Sequence, residues 1–431
     1  MKATAVIDTN NGKAAKERLV LNIINYVEEL DRDFNSSSFW LKNQYMEIGF
    51  YGYNPDVNWE SWELLKAALF SYPYEDLHII KDDWETTHSY IKEGRAHELS
   101  EGLTMYLGAC QKGINKNSLR PQHSSLNAPN AMQRAYSLKN KYMTHIVRNY
   151  VFGKNTDEHI RVEPFKEGEK SPSSHKYYVD ETIIKDISIL ENTSLEDYIS
   201  DTLEPYIGKS FLELCTMFAI KPNEKGTYPK NINAMLTSRM LGINGDLEKT
   251  EEFSKAEIEV KTIKVNENGK IKESMSFPAF VFKELAKEEW EESTLRDMFE
   301  STKFFFIVFK GTSNSSVFLG AKFWAMPVSD FDDTVKLAWK EVQETINGGV
   351  SLVYKGERVK NNLLKASAKR IIHVRPHSSK SSYIEGNSNA DELPVPAKWT
   401  DKPEEYSDRW MTKQCFWLNN DYVIEQIKDL L

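Results

Sequence analysis

The longest unbroken apolar run, Phe304 to Phe309, is bracketed by Lys303 and Lys310 and reads as a buried strand, far too short to span a bilayer. A run opened by Lys2 reaches Asn11-Gly12-Lys13 and then Lys16-Glu17; one opened by Lys261 reaches Asn268-Gly269-Lys270 and then Lys272-Glu273. Each predicts a strand, an Asn-Gly turn and a return strand. An apolar strand opened by lysine follows in both halves, Lys42 to Tyr51 and Lys303 to Phe309. Trp84, Ile91 and Gly94 recur as Trp339, Ile346 and Gly349 at the same spacing, a helix face with a glycine stop. Ala135 to Tyr142 aligns without gaps on Cys415 to Tyr422, each leading into a terminal helix.

Four landmarks repeated in one order predict a duplicated domain. Charge-rich residues 154–192, with Ser171-Pro172-Ser173-Ser174, read as a linker between domains at 1–153 and 193–431. Thr193-Ser194-Leu195-Glu196 reads as a capping box opening the second domain. Roughly sixty residues separate that start from Lys261, whereas Lys2 is the second residue of the chain, so a late start of the first copy is expected.

Composition excludes several classes. Hydrophobic residues make up 40% and charged residues 28% of 431, an ordinary folded mixture. No basic-then-apolar export signal opens the chain, so a cytoplasmic location is expected. Cys110, Cys215 and Cys415 form no zinc spacing and no disulfide framework. Gly208-Lys209-Ser210 lacks the earlier glycine of a phosphate loop, position 203 being Leu, and reads as a helix start. His97-Glu98 lacks the second histidine of a zinc protease. A formal charge of −9 does not advertise nucleic acid, but DNA contact depends on where the cations sit.

One chemical constellation stands out. Glu252 precedes Glu259-Val260-Lys261, and residues two apart on a strand share a face. Two carboxylates and a lysine suit metal-dependent phosphodiester cleavage, the acids as oxygen ligands and the lysine orienting water and offsetting charge. Glu-x-Lys alone is weak, since a chain this charged holds on the order of four by chance. Its weight comes from the preceding acid, the following hairpin and the repeat.

Beyond these patterns, Lys2-Ala3-Thr4 with its hairpin, Asp83-Trp84-Glu85, Tyr106-Leu107 and Tyr136-Ser137-Leu138-Lys139 resemble MutH, the mismatch-repair nicking endonuclease, in order. The runs Lys16 to Tyr26, Ala96 to Leu103, Lys272 to Phe277, His373 to His377, Gly386 to Asp391 and Trp410 to Gln414 resemble the two-domain type II restriction endonucleases that cut GATC. The resemblance covers essentially the whole chain. It implies an α/β (α+β) protein of two tandem MutH-like domains, mixed central sheets flanked by helices. The first is the Mg²⁺-dependent nuclease and the second a DNA-binding, allosteric pseudo-nuclease.

Of the family's Asp…Glu-x-Lys pattern the first copy retains Lys2, with both acids expected upstream of Met1; Lys42 matches a further lysine near the active site. In the second copy Glu252 stands where the family has Asp, Ser238 falls near an additional glutamate, and Glu259 and Lys261 remain, making Glu252 and Glu259 its candidate metal ligands. Lys112 and Arg375 fall in the recognition loops, where a cation suits the guanine of GATC. Arg120, Arg134, Lys139 and Lys141 are candidate phosphate contacts and Tyr136 a packing contact on a sugar or base. The expected partner is double-stranded DNA containing GATC, with no membrane; the protein is a monomer or a homodimer, able to engage two sites. The rivals are an inactive GATC-binding protein and a mismatch-repair nicking enzyme, the latter disfavoured because it resembles a single copy.

Overall fold

Gly12 closes the first hairpin at φ +93, a backbone state that L residues avoid. β1 (Lys2–Thr9) thereby returns as antiparallel β2 (Gly12–Ala15), with Thr9 opposite Gly12. The computed structural model describes residues 2–113, 118–162, 181–271, 274–312, 315–356 and 358–431. The linker motif Ser171 to Ser174 and the pair Lys272-Glu273 lie outside them.

β3 (Leu19–Ile23) leads to α1 (Ser38–Asn43), started by the Ser37 hydroxyl accepting the Trp40 amide at 3.0 Å. Lys42 therefore lies in the last turn of a helix, and the strand expected to begin there begins later, as β4 (Met46–Gly52). Phe39 and Asn43, one helical turn apart, are the buried positions of α1, so helical packing overrides the strand pattern. β5 (Leu64–Phe70), α2 (Tyr74–Lys92), β6 (Leu107–Gln111), β7 (Arg134–Leu138), α3 (Asn140–Ile146) and β8 (Ile160–Val162) follow. On α2 the buried residues Ile80, Trp84, Thr87 and Ile91 form the expected face, and Gly94, at φ +72, lies just past its end.

Further along, Ser194 rather than Thr193 caps the helix Leu195–Leu203, and Ser210 with Glu213 forms a full capping box at Phe211–Met217. α4 (Glu251–Ala256) ends at Glu257, left-handed at φ 60, which turns the chain into β9 (Ile258–Val265). Then come β10 (Met275–Phe280), β11 (Lys303–Lys310), β12 (Val317–Trp324), α5 (Lys336–Asn347), β13 (Ile372–Pro376), β14 (Gln414–Leu418) and α6 (Asn420–Gln426). Lys303 through Phe309 are all buried, as the apolar run requires. After the second turn, with Gly269 at φ +74, the described part of the return side pairs through the bridge Val265 to Ile271.

Two compact units divide these elements: Met1–Thr262 with Ser301–Ile307 and Gly320–Ala325, and Ile263–Glu300 with Val308–Leu319 and Met326–Leu431. Two sheets of the first half have the orders β8-β5-β4-β1-β2 and β3-β7-β6; later sheets run β9-β11-β12 and β10-β14-β13. The run β1-β4-β5 thus has the order of β9-β11-β12, and β3-β7-β6 that of β10-β14-β13. The pairs β3–β7 and β10–β14 even share a break in register, at Val20/Ile23 and Ser276/Ala279. Local bonds repeat too. Asn140 donates to the Ala15 carbonyl (3.1 Å) and Tyr142 to Asp76 (3.0 Å); Asn420 donates to Ile271 (2.8 Å) and Tyr422 to Asp330 (2.6 Å). No helix among the described residues is long and apolar enough to cross a membrane.

Candidate functional site

Lys2 opens β1 opposite Ile48 of the parallel strand β4, and its ammonium donates to the Leu21 carbonyl on β3. Burial, and then the Lys42 ammonium, pull Lys2 below the usual lysine range. Lys42 is exposed, and α1 is fastened beside β3 by Asn43 donating to Asn22 (2.6 Å) and Asn22 donating to Ser38 (3.1 Å). The two sequence-predicted catalytic lysines are therefore electrostatic neighbours from different elements. Two cations within electrostatic reach of each other suit an oxyanion whose charge grows during reaction. They are not metal ligands. Among the described residues no group of three or more His, Cys, Asp or Glu is placed to hold a metal ion. The described residues alone therefore offer no ready-made protein cage for Mg²⁺.

In the second half, Glu259 and Lys261 do share a strand face, and they spend it on each other as an ion pair of 2.8 Å. Glu252 lies on α4, buried, and its carboxylate accepts the amides of Ile183 (2.9 and 3.0 Å) and Ile184 (2.9 Å). Burial still holds Glu252 above the usual carboxylate range. Ser238 is buried and donates to the Ala234 carbonyl within its own helix.

The candidate DNA contacts separate by burial. Lys112, Arg120, Lys141 and Arg375 are exposed; Lys141 sits 3.9 Å from Glu257, and the Arg375 guanidinium lies 5.3 Å from the Trp417 ring. Arg134, Tyr136 and Lys139 are buried in or beside β7, the middle strand of its sheet. Arg134 donates to the Ala109 carbonyl (2.8 Å) and Lys139 to Thr104 (2.6 Å). Burial first, then the Lys303 charge, pull Lys139 down to about 8. In this conformation all three hold the interior together rather than face a ligand.

Sequence reasoning missed the buried polar centre of the first unit. Lys255 of α4 meets Asp76 of α2 (2.7 Å) and Glu251 (2.6 Å), and Tyr142 of α3 donates to the second Asp76 oxygen (3.0 Å). Asp83 accepts the amides of Met105, Tyr106 and Leu107 at 2.6–2.8 Å and so shapes the lead into β6. Asp83 was visible as part of the Asp-Trp-Glu motif, but the amides it accepts come from a distant loop and left no local signal. All three cysteines are buried and free.

Comparison with known proteins adds two findings. The family described as DNA mismatch repair enzyme MutH matches this chain twice over, at residues 1–83 and 241–313. The type II restriction enzyme Sau3AI of Staphylococcus aureus is 41% identical over 457 aligned residues, covering 100% of this chain and 87% of its own length.

Proposed function

Because the chain belongs to the MutH-like type II restriction endonucleases, we propose that it recognises GATC in double-stranded DNA and belongs to a Mg²⁺-dependent system that hydrolyses phosphodiester bonds there, in the cytoplasm. The observation that carries this reading is the full-length likeness to a type II restriction enzyme, and Lys2, half-buried on the Leu21 carbonyl and within electrostatic reach of Lys42, is in keeping with it. Mg²⁺, if bound, would supply Lewis-acid chemistry at a phosphate. Lys2, held by the Leu21 carbonyl and lowered by burial, is the group of this chain positioned to meet developing negative charge.

We further read the chain as two copies of one MutH-like domain, at 1–153 and 193–431. Two matched sheet orders, two matched Tyr–Asp bonds and two matched Asn–carbonyl bonds support this. The second copy, whose Glu252 is occupied by backbone amides and whose Glu259 is paired, is then a DNA-gripping rather than a cutting copy. Of the candidate contacts, exposure favours Lys112, Arg120, Lys141 and Arg375.

A second reading, a GATC-binding protein that does not cut, is favoured by the lack of a metal-holding cluster among the described residues. Duplexes with and without GATC, incubated with the protein and Mg²⁺ or EDTA, separate the two. Cutting of both strands only at GATC and only with Mg²⁺ is the expected result. Lys2→Ala should lower the rate by about 10²–10³ while leaving duplex retention unchanged. Selective retention with no cutting under any condition replaces the first reading with the second.

A further inference from the structure

A cleft of about 470 Å³ opens in the second unit at the end of the sheet where β13 begins and β14 ends. Lys369, Arg370 and Arg375 line it with Asn419, Asp421 and Tyr422. All three cations are exposed, and Asp421 is the one acid among the described lining residues, so the cleft is cationic in a chain of net charge −9.

The cations are held in place. Lys369 stands at φ 52, a strained state for a side-chain-bearing residue, at the end of the short turn Ala366–Ala368. Asn419 fixes that turn from both sides of the chain: its side chain donates to the Arg370 carbonyl and its amide to the Ile371 carbonyl at 2.8 Å. Arg375 leans over Trp417, which limits its swing, and Arg370 keeps a loose 3.9 Å contact with Glu341.

The matching place in the first half has a different fate. Lys139 and Tyr142 stand where the repeat puts Asn419 and Tyr422, and both are buried, with α4 packed on α3. Tyr142 closes on Asp76, which Lys255 neutralises from within. The repeated fold thus covers this end of the sheet once and leaves it open once, and the open version carries three cations. Two guanidinium forks and an ammonium around an open cleft match the tetrahedral oxygens of a phosphate group.

We propose that this cleft binds a backbone phosphate of duplex DNA, giving the second half a grip that does not depend on sequence. The proposal rests on the reading that the chain binds DNA, and it adds a contact at the turn preceding β13, beside Arg375, which was expected in a recognition loop and lies within that strand. The test measures affinity for duplexes with and without GATC over a range of NaCl concentrations, for the parent protein and for Lys369→Ala/Arg370→Ala. Both substituted side chains are exposed, and matching thermal melts confirm that the variant folds.

If the cleft of the parent protein neutralises one phosphate, the variant's line of log affinity against log salt should be flatter by about 0.9. The fold-loss in affinity should be equal on the two duplexes. An unchanged line overturns the proposal, as does a loss confined to GATC. Calorimetry with inorganic phosphate separates the two sources of this chemistry: phosphate binding abolished in the variant while its DNA line stays unchanged would assign the cleft to a free anion instead. Failure of the parent protein to retain any duplex is a distinct result, and it removes the DNA reading itself.

Discussion

Lys255 is the residue whose loss should be felt most widely in the first unit. Its side chain and that of Asp76 are each 3% exposed, and the 2.7 Å bond between them joins α4 to α2, residues 179 apart in the chain. Burial pulls the Lys255 ammonium down, but Asp76 and Glu251 outweigh it and hold the group above its ordinary range. Lys255→Met keeps the aliphatic stem and removes the charge. Asp76 would then keep only the Tyr142 hydroxyl, while Glu251, 28% exposed, can turn to water.

Breaking one side of a buried pair costs about 3–5 kcal/mol, most of it the penalty of the stranded charge. At 2–4 °C per kcal/mol for a body of this size, the melting temperature should fall by roughly 6–20 °C. Adding Asp76→Asn removes the stranded charge, so the double variant should be less destabilised than the sum of the singles, by about 0.5–3 kcal/mol. Thermal and urea unfolding followed by tryptophan fluorescence read both quantities. A Lys255→Met melt within about 2 °C of the parent, or strict additivity in the double variant, refutes the reasoning.

Two further substitutions probe the same unit. The Asp82 carboxyl is pushed up to about 7 by burial and then by Asp83 and Glu85. Its folded value lies above its unfolded one, so its contribution to stability is complete below the ordinary carboxylate range and drains away as pH rises through about 7. Asp82→Asn should therefore gain about 1–2 kcal/mol near pH 8, after allowance for solvent screening, and nothing near pH 4; equal urea midpoints for parent and variant at the higher pH would contradict this. A methyl group on Gly102 would stand 2.7 Å from the Thr302 carbonyl oxygen, which is backbone and slow to yield. Gly102→Ala should cost about 1–3 kcal/mol, and an unaltered melt would show that the contact relaxes freely.

Features set within a few residues were legible from the chain alone. Gly12 and Gly269 mark turns because one left-handed backbone state decides them. Trp84 and Ile91 mark a buried helix face, and Glu259 meets Lys261, because helical and strand periodicities are local geometry. The likeness of the two halves was legible for the same reason, since each landmark is a short pattern repeated in order.

Other assignments depended on what packs against what. The resemblance made Arg134 and Lys139 candidate phosphate contacts and Tyr136 a packing contact on DNA, yet β7 lies between β3 and β6 with every one of its residues buried, so its sequence carries no alternation, and Lys139 is buried just beyond it. Lys42 moved from strand to helix because Phe39 and Asn43 found a common interior. Glu252 was drawn to amides near residue 183, and Lys255 to Asp76. A buried carboxylate or ammonium takes whichever partner the tertiary structure brings within reach, because leaving it unpaired costs more than any local preference can supply. Periodicity decided which faces turn inward, and only the folded chain decided which charges meet there.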